Sequence, residues 1–314
     1  MKICVLGALG HIGSQLIRSL PEAFPNAEIV MVDNFLVQRY PSLFNLPKNG
    51  KYHFVEKDVT KTDLTEEIKN ADVAIHLAAI TNAAESFDIK DHLEKHNFSA
   101  TKNIADHCVK LNVPMIFIST TSVYGTQSQR VDENCTEQEL QPQSPYAETK
   151  LREEKLLAEM GKNQGLKYIA CRFGTIFGTS VGMRFHTAVN KFCWQAVMGQ
   201  PITVWKTALD QVRPYLDLND AVRFFEFAIK NKTFTNEIYN VVTMNASVRN
   251  IVDTIKHFVP QVSINYVDSK IMNQLSYEVD ASKLAKLGFA PQGDLKSQIG
   301  KTVEWLSQCQ SAKR

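Results

Sequence analysis

Tyr146, Lys150 and Thr120 are the residues of this chain best suited to take a proton from an alcohol. Tyr146 stands four residues before Lys150, so on a helix both side chains share one face, a turn apart. A phenol ordinarily ionises near pH 10, and an ammonium one turn away stabilises its anion. Pro145 fits a first helical position, which puts Tyr146 near the positive end of that helix. The product is a general base that works near pH 7 without histidine or metal. Thr120 follows the apolar run Val113 to Ile118, which reads as a buried parallel strand, so its hydroxyl lies at a carboxyl end. Ligands collect at such ends in open α/β sheets. A Tyr-x-x-x-Lys spacing alone is common on ordinary helix faces, and its weight comes from the segments before it.

Those segments begin with a strand, Lys2 to Leu6, and the turn Gly7-Ala8-Leu9-Gly10-His11-Ile12-Gly13, followed by helical spacing through Leu16, Ile17 and Leu20. Gly7 permits the tight turn, Gly10 lets backbone approach a pyrophosphate, and Gly13 lets helix pack on strand. The free N–H groups and dipole of the helix start suit a diphosphate. A second run, Ala27 to Val32, ends at Asp33-Asn34, twenty residues past Gly13. A carboxylate there accepts from ribose hydroxyls and repels a 2′-phosphate, favouring NAD over NADP, although Arg39 lies near enough in sequence to keep NADP open. The glycine spacing is G-x-x-G-x-x-G and not G-x-G-x-x-G.

Further strands are expected at Tyr52 to Glu56, Val73 to Leu77, Val113 to Ser119 and Tyr168 to Phe173, with helices at Leu93 to Leu111 and from Tyr146 to Met160. Alternating strands and helices mean a doubly wound parallel sheet. Asp58, at a strand end, suits either an adenine amino group or a plain cap. His76, inside an apolar run, reads as a core histidine. Beyond Gly178 the rhythm breaks. Helices are expected at Val181 to Gly199, Leu216 to Lys230, Val248 to Phe258 and Leu295 to Leu306, and strands at Pro201 to Trp205, Ile238 to Val242 and Ser263 to Val267. This part has no second glycine turn and reads as a lobe that closes over a substrate. The expected division is 1–177 for the dinucleotide-binding domain, with 213–243 returning to it, and 178–314 mainly for the substrate lobe.

The chain has 314 residues, 44% hydrophobic and 22% charged, with a formal net charge of +2. Those values suit a globular protein and give no electrostatic case for nucleic acid or membrane binding. The six cysteines are scattered, without metal spacing, and Cys4, Cys108 and Cys171 sit in apolar runs that suit buried free thiols. With no signal-peptide shape and no bilayer-length apolar run, a cytoplasmic protein is expected.

The chain resembles, over nearly its whole length, the extended short-chain dehydrogenase/reductases, and among them the NAD-dependent nucleotide-sugar epimerase/dehydratase family. The matching segments are Gly7 to Gly13, Val32-Asp33-Asn34, Asp58-Val59, His76-Leu-Ala-Ala79, Asn97, Ser119-Thr120-x-x-Val-Tyr-Gly125, Tyr146-x-x-x-Lys150, Arg172 to Gly178, Arg213 to Asp220, and Val279 to Lys283 before Leu287 to Pro291. The resemblance implies a Rossmann-type fold with a smaller carboxy-terminal α/β substrate lobe, NAD as cofactor, a nucleotide-activated sugar as substrate and a homodimer. It places His11 and Ile12 in the pyrophosphate turn, Asp33 and Asn34 at the adenosine ribose, and Asp58 and Val59 beside adenine. Leu77, Ala78, Ala79, Thr81, Asn97 and Ser119 line the nicotinamide side. Tyr146 becomes the base, Lys150 the partner of the nicotinamide ribose, and Thr120 the hydrogen-bond partner of the reacting hydroxyl. Gly174 and Thr175 stand at nicotinamide and substrate, Arg213 at the nucleotide diphosphate, and Ser122 and Arg184 among the substrate contacts.

Departures from that family pattern carry information as well. Typical 4,6-dehydratases hold an acidic residue just after the threonine, where this chain has Thr121 and Ser122, so an epimerase acting by transient oxidation, at C4 in most of the family, is favoured. A 4-dehydrogenase or dehydratase with the same Thr/Tyr/Lys triad is the alternative, and a non-catalytic NAD-binding regulator a remote one. Thr175, Pro214 and the run Thr179 to Arg184 also depart from the usual epimerase and leave the sugar open.

Overall fold

The computed structural model describes residues 1–81, 85–125, 130–268 and 276–308; Cys309 lies outside them. The first half runs β1 (Lys2–Leu6), α1 (His11–Ala23), β2 (Glu28–Asp33), β3 (Lys51–Glu56), α2 (Thr65–Ile68), β4 (Val73–His76), α3 (Lys90–Leu111), β5 (Met115–Thr120), β6 (Arg130–Val131), α4 (Pro145–Gln164) and β7 (Tyr168–Phe173). There follow β8 (Thr175–Phe177), α5 (Ala188–Val197), β9 (Ile202–Trp205), β10 (Val212–Asp217), α6 (Leu218–Lys230) and β11 (Ile238–Val241). The chain then continues through β12 (Met244–Ser247), α7 (Val248–Phe258), β13 (Ile264–Val267), β14 (Glu278–Val279), α8 (Ser282–Lys286) and α9 (Leu295–Ser307).

Successive side chains of β1 point to opposite faces, and both faces are covered. Ile3 and Val5 join Leu16, Ile17 and Leu20 of α1 and Phe224 and Phe225 of α6 in one core. Cys4 and Leu6 join Ala100 and Ile104 of α3 and Leu157 and Met160 of α4 in another. Each such aliphatic side chain contributes about 1.5–3 kcal/mol when fully buried, so a strand apolar on both sides demands helices on both sides. The main sheet is seven-stranded in the order β11-β7-β5-β4-β1-β2-β3, and all its pairings are parallel. The order reverses between β1 and β4, which opens a crevice at their carboxyl ends. Cys4, Cys108, Cys171 and Cys193 are buried free thiols.

A three-stranded sheet, β12-β10-β8, and a third core built from α5, α7 and α9 form the carboxy-terminal part. Of the stretch 213–243, α6 and β11 pack into the main α/β body, while β10 belongs to the smaller sheet. Two helix expectations are corrected. Residues 181–187 are not helical; they form a strap whose polar groups are bonded to the first turn of the chain, and α5 begins only at Ala188. The start of the expected helix at Leu216 is strand, because Leu216 and Asp217 pair with β8, and Asp217 then caps α6 by accepting from Asn219 N–H at 2.7 Å.

Candidate active site

The helix that carries the phenol is positioned by its own first turn. Ser144 Oγ accepts from Ala147 N–H at 3.2 Å, Pro145 takes the first helical position, and Tyr146 follows it. Lys150, a turn further, is buried, with its ammonium 4.6 Å from the Phe117 ring centroid and 3.0 Å from Glu153 Oε2. Thr120 closes β5, and its Oγ1 accepts from Ser122 N–H at 3.2 Å, which turns the chain into a short 3₁₀ segment. Thr120, Ser122, Tyr146 and Lys150 all line one cavity of about 670 Å³, together with Ser119, Gly174, Thr175, Arg184 and Arg213. Thr121 turns away from it: its hydroxyl donates to the Phe173 carbonyl, and its own carbonyl accepts from Tyr277 Oη. Below the cavity, Glu154 takes a bidentate pair from Arg172 and a bond from Ser119 Oγ, which fixes α4 against β5 and β7.

A second cavity, of about 570 Å³, runs along the crevice. Gly7 has φ +87°, and a Cβ there would meet Ala78 N at 2.4 Å; one on Gly13 would meet Gly7 O at 2.6 Å. Both glycines answer to packing. Gly10 does not: a Cβ on it would find nothing closer than Gly7 O at 3.6 Å, so the bare backbone leaves room for a ligand. Asp33 reaches this cavity with Oδ2 accepting from Leu9 N–H and Oδ1 from Phe35 N–H, both at 3.0 Å. Its burial raises the carboxyl above the usual range, and those backbone donors oppose the rise. His11 is kept neutral, well below the usual histidine range, first by burial and then by Arg184 and Arg39. A helix N-terminus with open backbone beside a carboxylate at the end of the second strand fits a pyridine dinucleotide.

The cavities share Ile12, Leu77, Ala79, Thr81, Arg184 and His186. Arg184 belongs to the strap. Its Nη1 donates to Thr81 Oγ1 at 2.6 Å, while its shielded Nε has no partner among the described residues. His186 is depressed to about 4 by loss of hydration and by the charges of Arg184 and Arg39. Elsewhere the strap is tied down by Ser180 with His11, by Gly182 N–H to Ser14 Oγ, and by Arg39 Nη1 to the Gly182 carbonyl.

Most residues singled out in the sequence therefore meet at these walls, including His11, Ile12, Asn34, Val59 and Ala78 in the second cavity. Asp58 and Asn97 do not reach a wall. Asp58 Oδ1 accepts from the N–H and hydroxyl of Thr60, the capping role that the sequence left open. Asn97 is fully buried and holds both the N–H and the carbonyl of Ile80, so it shapes the loop after β4. Arg213, on β10, lines the first cavity with its guanidinium 5.5 Å from the Tyr277 ring centroid. The sequence reading missed His186 and Trp205 on the walls, and Arg39 as a tie to the strap. Only Arg39 had a local signal, its closeness to Asp33.

A family model described as the NAD dependent epimerase/dehydratase family matches residues 3–241. A trifunctional UDP-glucose 4,6-dehydratase/UDP-4-keto-6-deoxy-D-glucose 3,5-epimerase/UDP-4-keto-L-rhamnose-reductase of Arabidopsis thaliana is 28% identical over 98% of this chain and 47% of its own length. The chain thus spans about half the length of that plant relative. An uncharacterised UDP-glucose epimerase of Bacillus subtilis is 28% identical over 98% of both chains. Among solved structures, the UDP-glucuronic acid 4-epimerase of Bacillus cereus, crystallised with UDP-glucuronic acid and NAD, superposes with TM-score 0.89 at 26% identity, covering 99% of this chain and 100% of that one.

Proposed function

The chain belongs to the NAD dependent epimerase/dehydratase family, and we propose that within it the protein inverts a nucleotide-activated sugar at C4 by transient oxidation. The observation that carries this is the pairing of Thr120, Tyr146 and Lys150 in a cavity whose only described carboxylate is Asp268, beside Lys206 and Trp205. A dehydratase needs a further acid and base to remove water across C5 and C6, and Ser122 and Thr121 cannot supply them.

NAD, held along the crevice by the turn from Gly7 to Gly13 and by Asp33, would supply the acceptor and donor for the C4 hydride. Tyr146 removes the proton of the C4 hydroxyl while Thr120 holds that oxygen, and Lys150 stabilises the phenolate. The ketone turns over in the cavity, and Tyr146 gives the proton back. Arg213 pairs with the substrate diphosphate, a task suited to a guanidinium. Asp33 and Asn34 hold the adenosine ribose, and the turn from Gly7 to Gly13 the pyrophosphate. Arg184, at the junction, meets an anionic group of the bound molecules through its Nε, which has no partner among the described residues. A homodimer in the cytoplasm, acting in carbohydrate biosynthesis, completes the proposal. No helix among the described residues is long and apolar enough to cross a membrane.

Incubation of the purified protein with a panel of nucleotide hexoses and hexuronates tests this. A C4 epimer with no lasting rise in NADH absorbance is expected. Accumulating NADH with an oxidised sugar would make it a dehydrogenase, and a 4-keto-6-deoxy product a dehydratase.

A further inference from the structure

Behind the Tyr146–Lys150 pair lies a line of buried polar groups that the proton transfer itself does not use. Glu153, one turn beyond Lys150 on α4, is 0% exposed, and Thr101 of α3 donates its hydroxyl to Glu153 Oε1 at 2.8 Å. His76 Nε2, on β4, lies 3.0 Å from the same hydroxyl oxygen. The single hydroxyl proton goes to Glu153, so the Thr101 oxygen accepts from His76, and the proton of that imidazole sits on Nε2. Burial and then the Lys150 charge keep His76 neutral, well below the usual histidine range. Glu153 thus faces one hydroxyl donor and one ammonium.

The contact with Lys150 is one of charge. Glu153 Oε2 lies 3.0 Å from Lys150 Nζ but accepts no hydrogen bond among the described residues. The ammonium N–H groups stay available for the phenol and a ligand ribose while the charge is offset. Around the phenol stand Lys150 on its own helix, Arg184 and His186 on the strap, His76 on β4, and His96 on α3 close to His76; the carboxylates described nearby are taken up elsewhere, Asp268 on the cavity wall by Lys206 and Glu148 on α4 by Lys90. Glu154 is taken up by Arg172. Two unopposed cations would hold the phenolate so firmly that it returned a proton poorly, and epimerisation needs the proton taken and then given back.

We propose that Glu153 is a positioning residue that holds Lys150 in place and offsets its charge, and so sets the pH at which Tyr146 serves as base. The proposal rests on Tyr146 as the base. Glu153→Gln keeps the shape and removes the charge. The expected result is that the near-ultraviolet tyrosinate titration, taken as the difference from the same background carrying Tyr146→Phe, moves to lower pH by about one unit. The acid limb of the pH–rate profile should move with it, and Glu153→Asp should restore both. Titrations that coincide for wild type and a folded Glu153→Gln protein would overturn the proposal. Removing the carboxylate leaves a buried ammonium unpaired. If that variant does not fold, Glu153→Met, an uncharged side chain of similar length that fills the same space, should move the titration the same way; no displacement there overturns the proposal equally. The titration needs no substrate. If the titration moves but Tyr146→Phe still turns over substrate, the assignment of the base fails and the charge coupling stands.

Discussion

The two cavities touch at Arg184 and His186, yet they are made in different ways. The crevice cavity, proposed above for the dinucleotide, draws its turn, its carboxylate and Arg39 from residues 7–39, and backbone does much of the work. The reaction cavity is assembled from β5, α4, the β7–β8 link, the strap and β10, and side chains do the work. A site made of backbone tolerates side-chain change poorly where a Cβ has no room and well elsewhere. A site made of side chains from many segments can change its substrate without changing its fold.

The largest effect that tests this contrast is on the side-chain site. Tyr146→Phe should lower turnover by about 10³-fold while the dinucleotide content of the purified protein stays unchanged. Turnover within about tenfold of wild type would break the contrast. On the backbone side, Gly182→Ala would place a Cβ 2.6 Å from Gly10 O and 2.7 Å from Leu9 O. It should cost about 1–3 kcal/mol, read as a lower Tm, and increase dinucleotide loss on gel filtration. Asp33→Ser should weaken NAD about tenfold and narrow the preference over NADP, measured by competition. Unchanged preference would mean that Asp33 serves only the Leu9 and Phe35 N–H groups.

The smallest effect lies at Asp217, which ends the strand carrying Arg213. Burial raises its carboxyl to about 6, and the capped Asn219 N–H opposes that rise. A carboxyl raised in the folded state adds stability below its unfolded pKa of about 4, and that stability is lost as pH climbs through about 6. Asp217→Asn, which can keep the cap, should therefore melt a few degrees above wild type at pH 7–8, with the difference vanishing near pH 4. Parallel Tm curves across that range would remove the charge from the account.

The same contrast explains what the sequence revealed. β1, the glycine turn, Asp33 and the Tyr146–Lys150 pair are set by neighbours within about twenty residues, and composition and spacing announce them. The strap between Thr179 and Ala188 has helix-compatible residues, but its bonds run to Ser14, His11, Arg39 and Thr81, far away in sequence, and tertiary partners overrode propensity. Leu216 was pulled into strand by β8 in the same way. Thr121 and Ser122 are adjacent and alike on paper, and only the 3₁₀ turn shows that one faces the cavity and the other the sheet. Glu153 stands three residues after Lys150, a spacing that could have been noticed; nothing local said that α3 would bury it.

The strap joins residues 169 positions apart, Ser180 to His11. During synthesis the first turn leaves the ribosome long before its cover exists, and a guest molecule can enter an open door. Once the later half has folded, exchange must wait for several polar ties to release together.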